Sequence, residues 1–204
     1  MGLEDKLVKT KSNPWSAIDQ YAARALEGFP ETKVDSFKSY AGVAFKTILS
    51  SALVAYGLDK IGIDNTEIAA VTLIPMIFLS QSRRFKNSSE KYSETYMSEK
   101  EVSDILYRVA EIGSAATRVP LYLAGKASTL YGTGGAFYST IDSQPPEQIM
   151  GAAAASIGFT VLAGMQYASE DDPKNPTTLT QSIKNLGTSS VDFAKGFWQR
   201  VVAQ

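Results

Sequence analysis

Residues Gln148 to Ser169 read QIMGAAAASIGFTVLAGMQYAS, and no longer stretch of the chain is free of charged residues. At 1.5 Å rise per residue, about 20 apolar residues in a helix span the roughly 30 Å hydrocarbon layer of a bilayer. A helix of this length on the surface of a soluble protein would show one charged face, and this stretch has none. It predicts a helix with apolar material all round it, either lipid or the core of a bundle. Within it, small residues recur at four-residue spacing, Gly151 to Ala155, Ala154 to Gly158 and Gly164 to Ala168. Such spacing lets helix backbones approach closely. Gly151, Ala155, Gly158, Gly164 and Ala168 are therefore predicted packing positions, facing either neighbours in the same chain or another copy or partner in an oligomer.

Outward from this stretch the charges are segregated. Ser39 to Leu58 holds one charge, Lys46, and a polar break with Gly57 and Gly62 leads to Ile68–Ser82, IAAVTLIPMIFLSQS, which stops at Arg83-Arg84-Phe85-Lys86. This predicts a helical hairpin over 39–82, kinked at Pro75 and anchored at the membrane edge by Arg83 and Arg84. A polar linker over 83–103 follows, with Ser98 and Glu101 placed as a capping box for a helix starting near Glu99. That helix runs through Ile105, Val109, Ile112, Ala116 and Val119, and Gly132, Gly134 and Gly135 are expected to end it near Tyr131. Pro145 and Pro146 then suit the start of the Gln148–Ser169 helix, giving a second hairpin over roughly 108–169.

Both ends of the chain predict amphipathic helices. Asn13 caps a helix with Pro14 in its first turn, and Trp15, Ile18, Ala22, Ala25 and Leu26 form its apolar stripe. Leu179 to Val202 forms a second, broken at Gly187. Trp15 and Trp198 lie where aromatic rings anchor helices at a membrane interface. The organisation expected is a polar segment 1–38, a helical membrane domain 39–169 and an amphipathic tail 170–204.

A chain of 204 residues with a net charge of −1 has no basic surplus for nucleic acid. Cysteine and histidine are both absent, which removes thiolate and imidazole nucleophiles, ordinary zinc sites and haem ligation by His. The expectation is a protein that is not an enzyme and holds no metal or cofactor. Mean hydropathy slightly below zero is usual for soluble proteins, but the average hides the crowding of charge into 1–38, 83–111 and 170–204.

Lysine and arginine positions predict the topology. They cluster before residue 39, over 83–100 and in the tail, and are missing from 127–147. The positive-inside rule then gives four spans rather than three, with both termini cytoplasmic. Lys46, Arg118 and Lys126 are the charges nearest the predicted hydrocarbon, with Glu111 and Asp104 as possible counterions. Snorkelling to the interface accounts for them without a conduit. Gly132-Thr133-Gly134-Gly135 lacks the ending of a phosphate loop, and Asp171-Asp172 is a solvated acidic pair. The functional expectation is a non-enzymatic, multi-pass, all-α scaffold, assembly subunit or membrane-shaping component whose partners are the bilayer and other helices. A small channel or transporter subunit, and a soluble helical binding domain with 148–169 as its core, are the competing expectations.

Overall fold

Asn13 caps the first helix: its Oδ1 accepts the Trp15 amide at 3.1 Å and its carbonyl accepts the Ser16 amide at 2.8 Å. Pro14 stands at the first helical position, where the missing N–H would have no partner in any case. This helix, α1 (Pro14–Leu26), is followed by α2 (Tyr40–Lys60), α3 (Met97–Ser139), α4 (Pro146–Ala168) and α5 (Leu179–Val202). They belong to a computed structural model that describes residues 13–26, 40–64, 97–140, 145–168, 170, 172 and 174–202. The described residues contain no strand, and the protein is all-helical. One described helix, α4, is long and apolar enough to cross a membrane.

Helix ends follow local chemistry. Helix α2 closes in a Schellman motif: the Ile63 amide reaches Leu58 O at 3.0 Å, the Gly62 amide reaches Asp59 O at 3.0 Å, and Gly62 takes the positive φ of 82° that this turn needs. Pro146 opens α4, with the Gln148 amide on Pro145 O at 3.0 Å. Thr178 caps α5, its Oγ1 accepting the Gln181 amide at 3.2 Å.

Helix α4 is the centre. It packs against α2 on one side and α3 on the other, and α5 and α1 lie against α3. Helices α2 and α3 both run antiparallel to α4, since Gly57 faces Gly151, Ser50 and Val54 face Gly158, Gly132 faces Ala152 and Gly125 faces Thr160. The α2–α4 approach is close enough that a Cβ on Gly57 would stand 2.4 Å from Gly151 O, and one on Gly158 would stand 2.6 Å from Ser50 O. Gly151, Ala155 and Gly158 are thus spent on packing inside the chain. Gly164 is buried and Ala168 half-buried on the same helix.

Several expectations are corrected. Helix α3 does not end near Tyr131 but continues to Ser139. Gly132 and Gly135 lie against Ala152 and Ile149, so contact with α4 offsets their low helix propensity. The linker predicted over 83–103 is shorter, because α3 already begins at Met97 and Ser98 lies inside it. Helix α5 runs unbroken through Gly187, which has open space beside it. A single glycine costs only about 1 kcal/mol in a helix, too little to break one of 24 residues. On α1 the buried face is Asp19, Ala22 and Ala23, while Trp15 and Ala25 of the predicted stripe are exposed. The second hairpin arm with Pro75, and the anchors Arg83 and Arg84, lie outside the described residues.

Candidate functional site

Three helices and the segment before α5 converge on Arg118. Its side chain is 0% exposed, on the inward face of α3 just before Pro120. From α1, Asp19 receives Nε at 3.1 Å on Oδ1 and Nη2 at 3.5 Å on Oδ2. Nη1 donates to Glu170 Oε1, and Nη2 also donates to the Thr177 carbonyl. The Thr177 amide returns to Glu170 Oε2 at 3.3 Å, closing a ring through guanidinium, carboxylate and backbone. Tyr167, at the end of α4, donates its hydroxyl to Asp19 Oδ1 at 2.8 Å and sets its ring 5.7 Å from the guanidinium carbon.

A guanidinium is the cation suited to this place. It keeps its charge when desolvated and its planar fork serves several acceptors at once, which an ammonium cannot do with the same geometry. Two carboxylates against one guanidinium leave a formal surplus of one negative charge, and the Tyr167 hydroxyl and Thr177 amide are the dipoles turned toward it. The arrangement clamps four parts of the chain. Its groups are consumed by one another, and it presents neither an open nucleophile nor a vacant ligand set. Among the described residues no group of three or more carboxylates is placed to hold a metal ion.

Two polar seams flank the clamp. Ser114 donates to Gln166 Oε1 at 2.8 Å, joining α3 to α4. Further along α3, Glu111 accepts Arg108 at 2.9 Å and Asn185 of α5 at 3.1 Å. Glu111, a possible counterion for Lys46, Arg118 or Lys126 on the sequence, is paired instead with Arg108 and Asn185. The other candidate, Asp104, has no described side chain. Snorkelling does not describe Arg118 either, since the side chain ends in a buried network.

The remaining predicted positions stay apart from the clamp. Lys46 is half-buried on α2. Lys126 is exposed on α3, with its ammonium 5.4 Å from the Tyr122 ring. Trp15 and Trp198 are both exposed. Asp19 and Glu170 were missed by sequence reasoning, being 99 and 52 residues from Arg118. A signal for Asp19 was present: it stands three and four residues before Ala22 and Ala23, so α1 carries an acid in the middle of its small-residue face. No family model, curated protein or solved structure matches the chain.

Proposed function

We propose that the protein is a non-enzymatic, multi-pass helical membrane protein that acts as a scaffold or assembly subunit, with both termini on the cytoplasmic side. The observation that carries this reading is the inverted polarity of α2. Its inward face consists of Val43, Thr47, Ser50, Ser51, Val54 and Gly57, while Phe45, Ile48, Leu49 and Tyr56 point outward. Phe45 is 65% exposed and Thr47 0%. The Thr47 and Ser51 hydroxyls are buried with no hydrogen-bond partner among the described residues.

In water this orientation is the wrong one. Each large apolar side chain turned outward forgoes about 1.5–3 kcal/mol of burial, and each unpaired buried hydroxyl costs about 1–3 kcal/mol. Half a turn of the helix would reverse both terms. In lipid the outward residues are already solvated, and small residues on the inner face gain close backbone packing. The same outward apolarity continues on Leu123, Leu130, Tyr131, Phe137 and Tyr138 of α3 and on Met150 and Ile157 of α4.

The direction of the helices supports four crossings. Helix α2 leaves the bundle at the end where Lys60 meets Gly151, whereas α3 enters it at the Arg118 end. The uncharged Ile68–Ser82 stretch of the sequence lies in the interval between them, which supports a crossing there. Asp19 and Thr177 both reach Arg118, which supports placing the two terminal segments on one side.

Alkaline carbonate extraction of membranes tests the reading. The protein is expected to stay in the pellet and to leave it only with detergent. Release into the supernatant would overturn the membrane reading in favour of a soluble bundle around α4. Span number is tested with single cysteines at Ser143 and Ser190, placed in a chain that has none of its own. A membrane-impermeant thiol reagent should label Ser143→Cys in intact cells and spare Ser190→Cys, and the opposite pattern would mean three spans and an external tail.

A further inference from the structure

Lys126 stands in the middle of an apolar face. At 3.6 residues per turn, Leu123, Lys126, Leu130 and Phe137 fall within about 60° of one another on α3, and all four side chains are exposed. Gly134, along one edge of this line, has nothing within 4 Å of the place a Cβ would take. The depth of Lys126 follows from its neighbour Gly125, which stands against Phe159 and Thr160, near the middle of the 23 residues of α4. Along α3, Lys126 lies about 12 Å from Arg118 and about 20 Å from Ser139. Among the described residues its ammonium meets the Tyr122 ring at 5.4 Å, one turn toward the Arg118 end. A ring face attracts the cation but does not neutralise it.

We propose that Lys126 pairs, inside the bilayer, with a carboxylate carried at mid-span by a transmembrane helix of another protein, packed along the Leu123–Phe137 line of α3. The proposal deepens the assembly-subunit reading and rests on it, because the depth of Lys126 matters only where this half of α3 crosses a membrane. A charge at that depth is costly, and such residues face the bundle interior or pair with one another. Lys126 faces outward, so pairing is what is left to it. Its own chain does not supply the anion. No Asp or Glu occurs in 39–58, 68–82, 119–140 or 148–169, and Asp19 and Glu170, at the Arg118 end, are already held by Arg118. The same inventory rules against a second copy, whose apolar stretches have no acid to bring to this depth. Snorkelling carries the ammonium as far as the Tyr122 ring, one turn short of Arg118. Charge therefore selects a different chain, acidic where this one is basic.

The probe is a synthetic membrane helix of leucines with one central Glu, or Gln in its place, carrying an acceptor dye. The full-length protein takes a donor dye at Ser143→Cys and is reconstituted in phosphatidylcholine vesicles. Energy transfer should report association with the Glu helix about tenfold tighter than with the Gln helix. Lys126→Gln should remove the preference, and Lys126→Glu should transfer it to a helix with a central Lys. Both variants should melt like the parent protein, since the side chain is exposed. Equal association of the parent with the Glu and Gln helices would overturn the proposal and leave the ammonium to lipid headgroups. So would a Glu preference that persists in Lys126→Gln. A third overturning result is energy transfer between copies of the chain that falls in Lys126→Gln while neither peptide binds, which would make a second copy the occupant. Carbonate extraction of the same vesicles keeps the two readings apart. Retention without a Glu preference defeats the pairing alone, whereas release defeats the crossing of α3 and, with it, the depth on which the pairing rests.

Discussion

Replacing Arg118 with Ala is expected to lower the stability of the folded chain by about 3–5 kcal/mol, because removing one partner leaves charge buried and uncompensated. Asp19 and Glu170 would both lose their cation, and neither can turn to water without undocking α1 or the segment before α5. For a chain of this size the loss corresponds to a fall in melting temperature of roughly 6–20 °C, read by scanning fluorimetry in detergent. Arg118→Lys keeps the charge but loses the fork that serves Asp19, Glu170 and the Thr177 carbonyl together, so it should recover only part of the difference. Arg108→Ala is the comparison: that side chain is partly exposed, its pair with Glu111 lies within one helix, and Glu111 keeps the Asn185 amide when Arg108 is lost, so the cost should be smaller than that of Arg118→Ala. Equal melting of Arg118→Ala and Arg108→Ala would show that the clamp contributes no more than a pair within one helix.

Leu at Gly158 is expected to separate α2 from α4, at a cost of about 3 kcal/mol or more. Overpacking usually costs 1–3 kcal/mol when side chains can shift, but here a Cβ alone would stand 2.6 Å from the Ser50 carbonyl oxygen and 3.0 Å from the Val54 amide nitrogen. Backbone must move to relieve it, and the rest of a leucine would follow into the same gap. Gly187→Ala gives the contrast, since nothing lies within 4 Å of that position and the change should stabilise by about 0.5–1 kcal/mol through helix propensity. The two variants also separate packing within the chain from packing between chains. Gly158→Leu should lower the melting temperature without changing the oligomeric mass. A mass that drops while the melting temperature holds would mean that the glycine face serves a partner.

What the sequence made legible was local. The Asn13–Pro14 start of α1, the extent of α2, the start of α4 at Pro146 and the apolar character of α4 all rest on residues a few positions apart, and caps and charge-free runs report them directly. Glycines misled because their propensity is a small local term. At Gly132 and Gly135 contact with α4 outweighs it, and at Gly187 a long capped helix absorbs it. Burial on α1 and α2 was not legible from hydrophobicity. On α1 the buried face includes Asp19 and leaves Trp15 out; on α2 it includes Thr47, Ser50 and Ser51 and leaves Phe45 out. The partners of Arg118 could not be read at all, since nothing local ties residue 118 to residues 19 and 170.

Those separations set an order of events during synthesis. Asp19 leaves the ribosome long before Arg118, so that pair can form as soon as the arginine emerges. Glu170 follows 52 residues later and the Thr177 carbonyl 59 residues later. At 5–20 residues per second the guanidinium waits roughly 3–12 s for the second half of its partners. Through that interval the nascent chain holds its arginine with one carboxylate and no closed ring, and α1 is fastened before α4 has been made. A chain halted ahead of Thr177 would stay in that half-latched state however long it was given to fold.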